Sequence, residues 1–265
     1  MLELPLPPED LRVRVGPFSD APLFERSGND MVAEIVQLCD LQPDAVVLEV
    51  GCGCGRLARA LARYLRPQGN YDGFDVHEPM IAWCQNNLQP HLSNFRFMHV
   101  DVYSPDQNPA GYIKASKFSF PYPDCTFDSL IVSSVFTHMF PEEIERYVSE
   151  LARVLKPGGR GFLTAFLFDE AGHAAVTSGA TIFDFRYPIG PCLTFDREHP
   201  EQGVACQRDW LLELLDRHGL EVKLVRNGTW RSVRSYKVSQ DYITATKRGE
   251  TFHPPPTILA TTFAV

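Results

Sequence analysis

Nothing in this 265-residue sequence approaches the roughly 20 consecutive apolar residues that a membrane-crossing helix needs. The opening stretch, MLELPLPPEDLRVRVG, has neither the basic start nor the apolar core of a secretory leader. Positive charge is in deficit: Lys and Arg number 25 against 33 Asp and Glu, a net charge of −8. A general nucleic-acid binder uses a cationic surplus to displace counterions, and this chain has none, although a local basic pocket stays open. Its seven cysteines (Cys39, Cys52, Cys54, Cys84, Cys125, Cys192, Cys206) are odd in number and scattered. That pattern suits reduced thiols better than a disulfide framework. Together these absences predict a cytoplasmic protein that binds no nucleic acid and spans no membrane. The sequence carries no signal of oligomeric state, no internal repeat and no low-complexity segment.

What is present is an alternation of short apolar runs with amphipathic segments. Residues 29–41 (NDMVAEIVQLCDL) carry Val32, Ile35, Val36 and Leu38 at helical spacing. AVVLEV follows as a valine-rich run of the kind that forms a parallel strand covered on both faces. LARALARYL, MIAWCQNNL and EEIERYVSELARVL read as helices, while YDGFDV, FRFMHVDV, FDSLIVSSVF and GRGFLTAFLF read as strands. KPGG is read as the stop between the last of these helices and its strand. Such an alternation specifies an α/β fold with a doubly wound, Rossmann-like, mostly parallel sheet. DWLLELLDRHGL is a further helix, and EVKLVRNGTW and QDYITATK follow it with no helix between them. Strands joined directly are most simply antiparallel, so the sheet should end on an antiparallel strand. Between them, residues 169–205 show no clear period.

The stretch VLEVGCGCGRL concentrates Gly51, Gly53 and Gly55 in a strand-to-helix turn, where glycine permits positive φ and close approach of a ligand. Arg56 stands where a dinucleotide fingerprint needs its third glycine, and the G-K-[ST] ending of a phosphate loop is missing. Cys52 and Cys54 have no second Cys/His pair at zinc spacing, so no metal is expected. A tight turn with no ligand is the plain alternative. Against it stands Asp75 at the end of the second strand, placed to hold the two hydroxyls of a ribose.

With VLEVGCGCGRL, GFD and RVLKPGG in this order, the sequence resembles the class I methyltransferases that use S-adenosylmethionine. YDGFDVHEPMIAWCQNNL, SSVFTHMFPEEIERYVSELARVLKPGGR and SQDYITATK are similar to a bacterial group often linked to glycan or secondary-metabolite pathways. The resemblance implies a single domain over 1–265 with a core at about 29–248, an acceptor-side insertion or lid at 169–205 and a tail at 249–265. It also implies that Gly51, Gly53 and Gly55 approach the cofactor closely, and that Glu49 organises the loop or meets the amino group through water. Arg56 would pair the methionine carboxylate or lie on the surface. Asp75 would hold the ribose and Val76 flank the adenine. The adenine amino edge has two competing partners, the Ala115-Ser116 pair and Asp101, and Ser133 would lie beside the sulfonium.

The activity so implied is methyl transfer from S-adenosylmethionine to a small molecule or glycan precursor, most simply at oxygen. The alternatives are transfer to nitrogen or to carbon, or a binding protein without turnover. Histidine readily takes a proton near neutral pH, and His138 in SVFTHM is the candidate base, with capping or cofactor contact as its duller roles. Lys223, Arg226, Arg231, Arg234, Lys237, Lys247 and Arg248 crowd residues 221–248, pointing to an anionic acceptor or simply to a solvated face. Two departures from the group, LFD at 167–169 and Arg-Ser-Val after Trp230, fall on the acceptor side.

Overall fold

The protein's structure, a computed structural model, describes residues 3–170, 173, 181, 183–231 and 239–249. Six α-helices are described: α1 (Glu9–Arg12), α2 (Ala21–Cys39), α3 (Arg56–Tyr64), α4 (Glu78–Asn87), α5 (Pro141–Val154) and α6 (Arg208–Arg217). The strands are β1 (Val46–Val50), β2 (Asn70–Asp75), β3 (Phe95–His99), β4 (Phe127–Val132), β5 (Leu155–Phe168), β6 (Tyr187–Ile189), β7 (Cys192–Thr194), β8 (Val204–Gln207), β9 (Leu220–Arg226) and β10 (Asp241–Lys247). Among these residues no helix is long and apolar enough to cross a membrane.

The sheet runs β3-β2-β1-β4-β5 with all pairs parallel. It continues through β10, antiparallel to β5, and β9, antiparallel to β10. This is the expected doubly wound sheet with its antiparallel edge. Strand alternation sorts the core into two layers. Leu48 and Val50 face a cluster with Ile144, Val148, Leu151 and Leu214, while Val47 faces Ile35, Leu57, Leu61 and Ile81 on the other side. Because β1 and β2 are central and parallel, their carboxyl ends open together at one edge of the sheet, where open α/β folds hold ligands.

Four of the boundaries that differ from the sequence reading have a plain local reason. The helix expected over 29–41 begins at Ala21, because Asp20 caps it by accepting from the Leu23 amide at 2.6 Å and Pro22 sits in its first turn. KPGG is not a stop outside the strand. Pairing jumps from Phe127↔Leu155 to Ser129↔Arg160, so residues 156–159 form a bulge within β5. The third strand ends at His99 because the chain turns into an isolated bridge, Val102↔Ile113. The fourth ends at Val132, where Ser134 takes a left-handed φ of 59° and leads into the 3₁₀ turn Phe136–His138.

The stretch without clear period holds three short strands. β8 pairs with Phe166–Phe168, beyond the reach of both β4 and β10 along β5, and β7 and β6 extend it as an antiparallel hairpin. At three or four residues each, these strands are too short for a period to show.

Asp241, fully buried at the start of β10, ties this end together. Its carboxylate accepts from the amides of Leu167 (2.7 Å) and Gly228 (2.7 Å) and from Trp230 Nε1 (2.8 Å), with Arg231 at 3.4 Å. Asp241→Ala strands these donors in an apolar interior and should cost about 3–5 kcal/mol, read as a lowered midpoint in urea unfolding.

Candidate cofactor site

The glycine turn between β1 and α3 is held by β2. The amides of Gly51 and Cys52 both donate to the Phe74 carbonyl, at 2.9 and 3.1 Å. The amide of Gly53 donates to Asp75 Oδ2 at 2.8 Å, and the His77 amide donates to Oδ1 at 2.8 Å. Gly51, Gly53 and Gly55 sit at φ of 73°, 53° and 79°, a left-handed path that residues with a side chain adopt only at a cost. A Cβ at Gly51 would also strike Val135, and one at Gly53 would strike Val15. Both loop thiols are buried: Cys54 donates to the Leu11 carbonyl at 3.7 Å, and burial pushes its pKa up to about 12.

Burial raises the Asp75 pKa, while the two backbone amides pull it back down. Each carboxylate oxygen has two lone pairs, so the amides of Gly53 and His77 leave one on each oxygen for a further donor. Val76 follows at the strand end, its carbonyl bonded to His99 Nε2 at 3.1 Å.

Glu49 lies on the α3 side of β1, 3% exposed, and accepts from Tyr71 Oη at 2.6 Å. Burial pushes its pKa up to about 8. Arg56 opens α3 with its guanidinium 3.9 Å from Met31 Sδ and over the Phe18 ring at 5.4 Å. Among the described residues no carboxylate reaches ion-pair distance of it. Desolvation lowers its pKa, and Glu49 acts on it from farther away. Ser133 Oγ meets the same Met31 sulfur at 3.4 Å, so Arg56 and the end of β4 converge on α2.

Sequence reasoning missed the strap that covers this loop. Residues 3–20 cross it with Val15 against Gly53 and Phe18 against Arg56. Two arginines hold the strap by donating to its carbonyls. Arg12 reaches Pro7 (2.8 Å), Phe18 (3.1 Å) and Ser19 (2.6 Å), and Arg59 reaches Leu4 (2.6 Å), Pro5 and the carboxylate of Glu25. The signal available was the pair of arginines in otherwise apolar contexts, which leaves their partners unnamed.

The remaining expected residues separate. Ala115 is buried and Ser116 half-buried in the 3₁₀ turn Ala115–Lys117, while Asp101 is exposed with Asn108 Nδ2 at 3.5 Å. His138 is exposed, and its Nδ1 lies 2.9 Å from the Glu201 carbonyl. A carbonyl can only accept, so Nδ1 is the donor there, and in the neutral imidazole Nε2 is the nitrogen with the lone pair. Ser134 joins a ring with Thr164 and Gln240: its amide donates to Thr164 Oγ1 at 2.8 Å and its Oγ accepts from Gln240 Nε2 at 2.9 Å. Lys223, Arg226, Arg231 and Arg248 pair with Glu221, Glu34, Asp241 and Asp216, and Lys247 donates to the Leu155 carbonyl. Arg234 and Lys237 lie outside the described residues.

Gly73 makes the Glu49–Tyr71 pair possible, since a Cβ there would come 2.5 Å from Tyr71 Oη and 2.9 Å from the Cys52 side chain. Gly73→Ala should therefore cost about 1–3 kcal/mol in thermal or urea unfolding. It should weaken S-adenosylhomocysteine binding as well, because the loop is displaced at Cys52.

Residues 47–159 match the family described as a methyltransferase domain. A fatty-acid O-methyltransferase of Mycolicibacterium smegmatis is 32% identical over 113 residues, 43% of this chain and 34% of that protein. A demethylmenaquinone methyltransferase of Symbiobacterium thermophilum is 28% identical over 127 residues, 48% of this chain and 45% of that protein. The match thus spans less than half the length of these curated relatives. In fold, the chain is similar to a Burkholderia thailandensis 1,6-didemethyltoxoflavin-N1-methyltransferase with bound 1,6-didemethyltoxoflavin and S-adenosylhomocysteine. That likeness has a TM-score of 0.56 at 17% identity and covers 94% of both chains. The left-handed glycine turn, the acid at the end of β2 and these matches agree: residues 47–159 form a class I methyltransferase domain, of the kind that uses S-adenosylmethionine.

Proposed function

We propose that this protein transfers a methyl group from S-adenosylmethionine to a small-molecule or glycan-precursor acceptor, at oxygen. The observation that carries the reading is Asp75, whose carboxylate fixes the glycine turn through Gly53 and keeps a lone pair on each oxygen for a ribose hydroxyl. The turn itself has the bare backbone and positive φ that close ligand approach needs. Oxygen is favoured by the activity named for the Mycolicibacterium relative.

In this reading Gly51, Gly53 and Gly55 cradle the ribose and the methionine moiety. Val76 flanks the adenine, and Ala115 and Ser116 meet its amino edge, with Asp101 as the competing partner. Arg56, half-buried against Phe18 and Met31 with no carboxylate partner among the described residues, receives the methionine carboxylate. Glu49 serves the amino group, and Ser133 lies beside the sulfur. Bound S-adenosylmethionine supplies a methyl group activated by a positively charged sulfur. The chain's contribution is alignment and exclusion of water, worth roughly 7–11 kcal/mol where a near-attack geometry is reached. The strap performs the exclusion over the loop. The imidazole of His138, oriented by the Glu201 carbonyl, takes the acceptor's proton at Nε2.

The five described cations of the basic stretch are committed to partners within the protein. An acceptor therefore draws its recognition from other residues, or from Arg234 and Lys237. The described aromatic group at this end comprises Phe166, Phe168, Phe183, Phe185, Phe195 and Trp230.

The test is transfer of labelled methyl to a panel of hydroxyl, carboxyl and amine compounds, nucleotide sugars and aromatic metabolites included. A methyl ether or ester is the expected product, and a methylated amine would replace oxygen by nitrogen. With the acceptor in hand, His138→Ala should lower kcat by about 10²–10⁴ at neutral pH while leaving S-adenosylhomocysteine affinity unchanged. An unchanged kcat would remove the base from the account.

A further inference from the structure

Glu49 and Tyr71 form a pair whose construction exceeds what a loop support requires. Glu49 is almost fully buried, and Tyr71 Oη is its single hydrogen-bond partner among the described residues. Among the described residues its second oxygen has no donor, and no cation lies within ion-pair distance. Tyr71 is locked in turn: its ring stacks on Phe95 at 4.7 Å and lies against Phe97 at 5.6 Å, and the bare Cα of Gly73 leaves room for its hydroxyl. A buried carboxyl with one neutral donor holds its proton until a cation arrives, because desolvation penalises the charged form.

We propose that Glu49 is a proton-releasing part of the cofactor site, ionising as the ammonium of the bound cofactor docks, and that Tyr71 is the positioning residue that fixes the receiving carboxyl. The proposal rests on the cofactor reading above. The α-amino acid end of S-adenosylmethionine is a zwitterion, and the loop offers two charge-bearing groups without an ion-pair partner among the described residues: Arg56 for the carboxylate and Glu49 for the ammonium. The step is a proton transfer, in which the Glu49 carboxyl loses its proton to solvent and the carboxylate so formed faces the ammonium.

The other groups facing Glu49 leave it as the titrating member. Tyr71 is pushed well above its ordinary range by burial and stays a neutral donor. The Cys52 and Cys84 thiols are likewise raised well above theirs by burial. Asp75 is engaged by the Gly53 and His77 amides, and Arg56 favours the ionised form of Glu49 from beyond contact. With Glu49 pushed up to about 8 in the free protein, binding that demands the ionised form strengthens as pH rises toward 8 and levels off above it.

The experiment is calorimetric titration of the full chain with S-adenosylhomocysteine, which carries the same α-amino acid end, at pH 7 in phosphate and in Tris. The difference in apparent heat between buffers counts protons. Wild type should release on the order of one proton more than Glu49→Gln, a variant that keeps the shape and can still accept from Tyr71. The ligand's own titration is common to both proteins and cancels. Tyr71→Phe should bind roughly tenfold more weakly at pH 7, and the pH at which its affinity levels off should move above that of wild type. A merely structural tyrosine would weaken binding without moving that pH. Equal proton counts in wild type and Glu49→Gln, with binding intact, would overturn the proposal alone. Absence of binding by folded wild type would overturn it together with the cofactor reading.

Discussion

The site depends on one constraint: the neighbouring strand pins the glycine turn in place. Two loop amides converge on the Phe74 carbonyl and a third on the Asp75 carboxylate. Parallel pairing of β1 with β2, Val50 opposite Phe74, puts these groups side by side at the same edge of the sheet. The turn can then be almost bare of side chains and still hold one shape. The same residue that would bind a ribose also fixes the backbone that would approach it, so disturbing Asp75 disturbs both at once.

Around that turn the protein has arranged charge economically. Asp75 is satisfied by backbone amides, Arg56 by an aromatic face and a thioether, and Glu49 by a single tyrosine. Burying such groups with so few partners is costly unless something completes them. A zwitterionic amino acid end and a ribose diol would complete all three. At the far end, by contrast, Asp241 is saturated by its donors and belongs to the architecture.

The parts legible in the sequence were those whose chemistry repeats at fixed spacing. Valine-rich runs alternating with helical periods gave the parallel sheet, and the missing helix between the last two strands gave its antiparallel edge. The three glycines and Asp75 were readable because only a positive φ and a strand-end acid explain them. What stayed hidden depends on partners distant in sequence. Gly73 looks like any strand glycine until Tyr71 and Glu49 are seen to need its space. Arg12 and Arg59 look like surface charges until they are found bonded to the strap's carbonyls. Strands β6 to β8 are too short to carry a period. The basic stretch at 221–248 left an anionic acceptor and a solvated face both open, because sequence shows the cations and not the contacts that Arg226, Arg248 and Lys247 make with Glu34, Asp216 and the Leu155 carbonyl.

The measurement that tests the central claim most directly is the affinity of S-adenosylmethionine for the intact chain and for Asp75→Asn, with folding monitored in both. The account predicts micromolar binding by the intact chain and a loss of about 100-fold or more in the variant, since asparagine keeps only one acceptor oxygen for the loop amide, the His77 amide and the ribose together. Equal affinity in the two proteins, or no binding by the folded intact chain, would contradict it.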